Sequence, residues 1–235
     1  MFYRNVLASL TLLLLGLAMA APARAGAIQL FSPAMLTPGA ATNDYPNVAP
    51  GFVGTIFNTP LVVPVGATNL IFTAAGGQII RFDQGVGFFG NFAPGTELIV
   101  TENGSGTATG PLAIDFSMGV LEFGLSAENV FTDADATSLF TFTVFNGATQ
   151  LATFTNGGLD TLGPFFLGAR ATFDDRITRV IISAVSSSVA PGDQNNFAVG
   201  PVSFVVPEPT TMVLLGTGLA GIAAARRRKR QSKAE

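Results

Sequence analysis

The stretch LFTFTVFNGATQLATFT, residues 139–155, constrains the fold more than any other part of the chain. Apolar and hydroxyl side chains alternate, so Phe140, Phe142 and Val144 fall on one face and Thr141 and Thr143 on the other. A period of two belongs to a half-buried strand, not to a helix. Asn146-Gly147 then predicts a hairpin, because both residue types tolerate the positive φ that tight strand-to-strand turns require. The same patterning predicts strands at 61–65, 70–73, 79–82, 97–101, 112–116, 120–126, 139–145, 150–155, 165–169, 177–184 and 197–205. No window sustains an apolar period near 3.6 residues. Many short strands broken by turns predict an all-β body, a β-sandwich or jelly roll. The proline-rich stretch 26–58 is less regular and reads as an extended strand with loops.

Two apolar runs flank this body. Arg4 precedes an uncharged apolar run at 6–19, and Ala23-Arg24-Ala25 supplies the small residues at alternate positions that a signal peptidase requires. Residues 1–25 therefore read as a signal peptide with a helical apolar run, cut after Ala25, with the bond after Ala20 as the alternative. At the other end, Pro207-Glu208-Pro209 fits neither a helix interior nor a central strand, so the body, residues 26–205, stops there. Residues 210–225 are uncharged. As a helix they span about 24 Å at ~1.5 Å per residue, short for a hydrocarbon core of ~30 Å. Gly216, Gly218 and Gly221 weaken the segment further as an anchor, and Arg226-Arg227-Arg228-Lys229-Arg230 favours the cytoplasmic side. The expected topology is a body outside, reached through the secretion machinery, and a tail, 206–235, held transiently by a short transmembrane helix.

Charge and residue usage exclude several functions. The body has four arginines against thirteen carboxylates, a net charge of −9. Nucleic acid is not an expected partner, since neutralising phosphates needs a basic face. Cysteine, histidine and tryptophan are absent. Disulfides, the usual zinc, copper and haem ligand sets, and Ser-His or Cys-His nucleophile pairs are excluded with them.

What polar chemistry remains is sparse. Asp133 and Asp135, just after Glu128 and Asn129, could turn carboxylate oxygens toward a hard cation such as calcium. No EF-hand spacing or glycine follows, and exposed turn acids explain the pair more simply; no other cofactor is expected. Asp174-Asp175-Arg176 reads as a β-turn whose charges pair with each other or with Arg179. Thirteen acids make some pair at hydrolase spacing almost inevitable, so such a pair carries no weight as a sign of glycoside hydrolysis, and no enzyme is expected. Phe88, Phe89 and Phe92 read as core, or else as an apolar patch on a glycine-rich loop. Asn103-Gly104-Ser105 matches a glycosylation sequon but is accounted for by its turn propensity.

The order Val206-Pro207-Glu208-Pro209, glycine-bearing apolar run and terminal arginine cluster resembles the PEP-CTERM sorting signal. The resemblance implies recognition of the tail by an exosortase, a membrane-embedded peptidase, with Pro207, Glu208, Pro209, Arg226, Arg227 and Arg228 as signal residues. The body, over roughly 108–204, is similar to jelly-roll modules common in such proteins. It shares a glycine after Val120-Leu121-Glu122-Phe123, then Phe166-Leu167-Gly168 and Ile177-Thr178-Arg179-Val180-Ile181-Ile182. It departs from them at Val199-Gly200, where an Ile-Asp or Asp-Asp pair is frequent, which weakens any calcium or ligand role tied to that acid. The expectation is an exported, non-enzymatic protein of the cell envelope or matrix, associated with exopolysaccharide or biofilm. A self-associating structural or adhesive protein is the alternative, and a glycan-active hydrolase a remote third.

Overall fold

A computed structural model describes residues 26–43, 54–85, 87–88, 90–130, 136–159, 163–187 and 194–207. Among these residues the chain is all-β, with one 3-10 turn, Pro33–Met35, as its helical piece. The strands are β1 (Ala27–Leu30), β2 (Ala41–Asn43), β3 (Thr55–Asn58), β4 (Leu61–Val65), β5 (Thr68–Ala74), β6 (Gln78–Gln84), β7 (Gly87–Phe88) and β8 (Glu97–Val100). They continue as β9 (Leu112–Val120), β10 (Glu122–Asn129), β11 (Thr137–Asn146), β12 (Thr149–Leu159), β13 (Phe165–Ala171), β14 (Ile177–Ser186), β15 (Phe197–Val199) and β16 (Val202–Val205).

They form two sheets. One runs β12-β11-β14-β9-β5-β4; the other runs β1-β13-β10-β15-β8-β6-β3, with β16 beside β10, β2 beside β16 and β7 beside β6. Pairing is antiparallel except for the short β6–β7 contact. The core lies between the sheets. Phe140, Phe142 and Val144 are fully buried, as their alternation requires. Opposite them, Thr143 and Thr153 bond across β11 and β12 on the outer surface, at 3.0 Å. Rings meet edge-on across the sandwich: Phe140 on Phe197, Phe123 on Phe142 and Phe116 on Phe204, with centroids 5.7, 6.1 and 5.8 Å apart. Each such ring contributes about 1.5–3 kcal/mol by burial. Phenylalanine therefore fills the core of a chain that has no tryptophan.

Several boundaries differ from the sequence reading for local reasons. The hairpin loop is Gly147-Ala148, closed by the pair Asn146–Thr149, so only Gly147 takes a positive φ, of 57°. Asn146 instead ends β11 and donates Nδ2 to Asp175 Oδ1, at 3.1 Å. Val120 closes β9 rather than opening the next strand, because the chain changes sheets at Leu121. The final strand is broken at Gly200-Pro201, and its two halves lie beside different neighbours, β8 for β15 and β2 for β16. The irregular N-terminal stretch supplies three short strands, β1, β2 and β3.

The outer face of the larger sheet is covered rather than open. Along β10, Glu122, Gly124, Ser126 and Glu128 point away from the core, and both glutamates are buried. The ring of Phe166 lies over Gly124, where a Cβ would come within 2.5 Å of its Cζ, with Leu36 beside it. Phe92 is buried over Gly200. Phe92 is thus core, as expected, while the side chains of Phe88 and Phe89 lie outside the described residues.

Candidate functional site

Both ends of the β-body leave from one pole. At one side of it, Ala27 pairs with Ala171. Gly26 accepts a hydrogen bond from Thr172 N at 3.0 Å. Next to this, Ala171 N donates to Leu121 O at 2.8 Å, and Leu121 N donates to Val205 O at 2.7 Å. Gly26, Thr172, Leu121 and Val205 therefore mark one rim of the larger sheet. The C-terminal strand β16 is held on both sides, by β10 and by β2. The residues after Val205 thus continue from an interior strand whose Ser203 and Phe204 are paired on both sides.

The β13–β14 turn forms the tip of this pole. Asp175 N closes it onto Thr172 O at 3.2 Å. The Asp175 carboxylate accepts from Gly26 N at 3.0 Å and from Asn146 Nδ2 at 3.1 Å, so one acid ties the first residue of the body to the turn and to the neighbouring hairpin. Arg176 donates to the backbone oxygens of Asp174 and Asp175, at 3.3 and 2.7 Å. Arg179 is bound to Asp115, at 2.6 and 3.1 Å, and that pairing holds its guanidinium even more firmly protonated than usual. The expected pairing of Asp174-Asp175-Arg176 with itself or with Arg179 is thus replaced by bonds to backbone and to other strands. Phe173, at the turn's apex, is 72% exposed and takes a φ of 57°.

Glu122 braces the same rim from the outer face. Its Oε1 accepts from Arg170 Nε at 2.6 Å and from Thr37 Oγ1 at 2.6 Å, and its Oε2 accepts from Thr37 N at 2.8 Å. Arg170 also donates to Met35 O at 2.9 Å, so the pair fastens residues 33–37 over the sheet. Burial alone pushes the Glu122 carboxyl up, but the Thr37 and Arg170 donors outweigh it and hold it below its ordinary range. Neither glutamate partnership is visible in the sequence. The alternation of Glu122, Gly124, Ser126 and Glu128 against Phe123, Leu125 and Ala127 reads in sequence as a solvent-facing side of the strand, which the fold instead covers.

Two further acids, Glu128 and Glu102, lie toward the opposite pole. Glu128 accepts from Asn91 N at 2.7 Å and from Asn91 Nδ2, fixing the loop that buries Phe92. Glu102 accepts from Asn196 Nδ2 at 3.3 Å; burial raises its carboxyl, partly offset by that bond. Asn103 Oδ1 accepts from Ser105 N and Thr107 N, at 2.9 and 3.0 Å, so the sequon asparagine is a turn residue here. Asp133 and Asp135 lie outside the described residues, but the strands that bracket them, β10 ending at Asn129 and β11 starting at Thr137, meet at this far pole. Among the described residues, no group of three or more acids could hold a metal. No helix there is long and apolar enough to cross a membrane. Ala23, Ala25, Glu208, Pro209, Arg226, Arg227 and Arg228 also lie outside the described residues; Pro207 is two residues beyond the end of β16, after Val206.

The described chain is a two-sheet β-sandwich with a C-terminal segment attached to its last strand. The PEP-CTERM protein-sorting motif matches residues 205–229 of that segment, beginning on the last residue of β16. The chain therefore carries a sorting signal that implies export, membrane-anchored transit and processing by an exosortase. No curated protein matches it. Solved structures align with it, among them two of one family. A DUF4465 family protein from Bacteroides caccae ATCC 43185 is 10% identical, covering 77% of this chain and 100% of that one, with a TM-score of 0.41. A second DUF4465 family protein, from Bacteroides ovatus ATCC 8483, is 8% identical over 77% and 99%, with a TM-score of 0.31. At those scores neither likeness carries an argument.

Proposed function

We propose that this is a non-enzymatic protein of the cell envelope or extracellular matrix, delivered by exosortase processing and associated with exopolysaccharide. The observation that carries the reading is the junction at Val205, where the sorting motif begins on the last strand of the β-body. Residues 1–25 act as a cleaved signal peptide, and residues 210–225 as a short transmembrane helix that holds the body outside until the tail is processed. A span of marginal length suits a temporary hold.

The strand order supports a jelly roll. Four strands in the order β13-β10-β15-β8 face four in the order β12-β11-β14-β9, the arrangement of two interlocked Greek keys. Jelly rolls serve lectins and capsids alike, so the fold supplies a scaffold and the loops supply the activity. With one pole committed to the tail, the far pole is the surface offered to a glycan, with calcium as the candidate cofactor and Asp133 and Asp135 as its candidate ligands. Binding of the purified chain to its host's exopolysaccharide, with and without calcium, tests this. Saturable binding lost on Asp133→Asn with Asp135→Asn supports it. Retention of the polysaccharide by neither form, with concentration-dependent self-association, points to the structural alternative.

A further inference from the structure

We propose that the pole from which both chain ends leave is a lipid-docking surface. Phe173 is its anchor, and it holds the body against the bilayer while the precursor is still tethered. This rests on the membrane reading of residues 210–225 and extends it by assigning a surface of the body to the lipid.

Phe173 carries two independent anomalies. It is 72% exposed, and its φ of 57° lies in the left-handed region. Holding a residue with a Cβ there costs about 1–2 kcal/mol, and a solvent-exposed ring recovers none of that by burial in the body. Glycine or asparagine would serve the turn at less cost. Nor is the turn loose. Asp175 ties it to Gly26 and Asn146, and Arg176 holds the carbonyls of Asp174 and Asp175. A bulky aromatic is thus presented by a braced turn at a position that folding alone does not favour, which directs attention to function.

Its position supplies the occupant. Gly26, where the apolar leader joins the body, touches this very turn through Asp175 and Thr172. Val205 ends on the same rim, and only residues 206–209 separate it from the uncharged run that starts at Thr210. Four residues reach at most about 14 Å at ~3.5 Å each. The headgroup layer of one leaflet is roughly 5–7 Å thick, so a tethered body is confined to the bilayer surface with this pole toward it. Ile28, one residue along β1 from the rim, is 46% exposed, and Met118, two residues before the end of β9, is 47% exposed. The turn's own charges, Asp174, Asp175 and Arg176, nearly balance. The chemistry is that of an apolar insertion into a lipid interface rather than attraction to anionic headgroups.

The chain has no tryptophan, so single-tryptophan variants of the full-length precursor each report one position. The variants are Phe173→Trp at the pole, Leu214→Trp in the tail and Ser105→Trp on the far pole. They are reconstituted in phosphatidylcholine vesicles carrying brominated acyl chains. Quenching and a blue shift are expected at 173 and 214, and none at 105. Quenching at 214 without quenching at 173 overturns the docking surface and leaves the membrane reading standing; absence at 214 overturns both. A blue shift at 173 that depends on protein concentration rather than on lipid assigns the surface to a second copy and equally overturns the proposal. Phe173→Gly provides the complementary arm. It relieves the left-handed strain, so the thermal midpoint rises, while a Met118→Trp reporter in the same chain loses its quenching. Unchanged quenching at 118 counts against Phe173 as the anchor.

Discussion

Replacing Glu122 with glutamine tests the bracing of the signal-bearing rim with a single atom changed. The carboxylate is 5% exposed and takes three donors, Thr37 N, Thr37 Oγ1 and Arg170 Nε. Either orientation of the glutamine amide sets its NH2 group against a donor that formerly met oxygen. At least one bond is lost outright, and Arg170 loses its ion-pair partner. Hydrogen bonds to charged groups contribute about 1.5–3 kcal/mol each. Arg170 is 40% exposed, so water offsets part of its loss. The expected cost is about 2–3 kcal/mol, short of the ~3–5 typical when a fully buried pair is broken. A body of this size loses roughly 2–4 °C per kcal/mol, so the thermal midpoint at neutral pH falls by about 4–12 °C.

The pH dependence supplies the stricter half of this test. The folded-state carboxyl is held below its ordinary value of 4.5. Its stabilisation is therefore complete above that value and fades as pH falls through the lowered one. Melting followed by circular dichroism from neutral to acid pH should show the native protein and Glu122→Gln converging in acid. A variant within about 0.5 kcal/mol of native at neutral pH, the scatter of an ordinary surface change, refutes the bracing. So does a gap that does not narrow in acid.

Other positions give independent tests. Glu102 has the opposite sign: its carboxyl is raised by burial, so its contribution is present at low pH and lost as pH rises through the raised value. Glu102→Gln should accordingly match or exceed the native midpoint at neutral pH and lose that advantage below the ordinary carboxylate range. Gly124→Val drives a branched side chain into the Phe166 ring; overpacking of this kind costs about 1–3 kcal/mol, read by denaturant titration. Cleavage after Ala25 would turn Gly26 N into an ammonium group 3.0 Å from Asp175 Oδ2. Asp175→Asn should then lower the stability of the processed chain by about 1 kcal/mol, the upper range for a partly exposed pair, and that of the unprocessed chain by less.

Strands whose partners are close in sequence were the legible part of the fold. The alternation of β11 places Phe140, Phe142 and Val144 in the core directly, and a hairpin follows at Asn146-Gly147, shifted by one residue. The sandwich's outer covering is not legible, because it depends on distant partners. Thr37 reaches Glu122 across 85 residues, and Arg170 reaches it across 48. Glu122 therefore reads in sequence as an ordinary exposed acid of a strand, although the fold buries it. The break at Gly200-Pro201 carries a local signal, since proline does not sit inside a central strand; what nothing local reveals is that β15 and β16 lie beside different neighbours. Nothing in the sequence distinguishes Phe173 from the chain's other phenylalanines; only the turn shows that it stands in water. The sorting segment is the reverse case, being recognised by residue order alone and needing no fold to be read.

Mass spectrometry of the exported protein addresses the central claim most directly. A product that begins at Gly26 and ends close to Pro207-Glu208-Pro209, without Arg226 to Glu235, is the predicted result. Recovery of a chain that keeps both its apolar leader and its arginine-rich terminus would contradict the account.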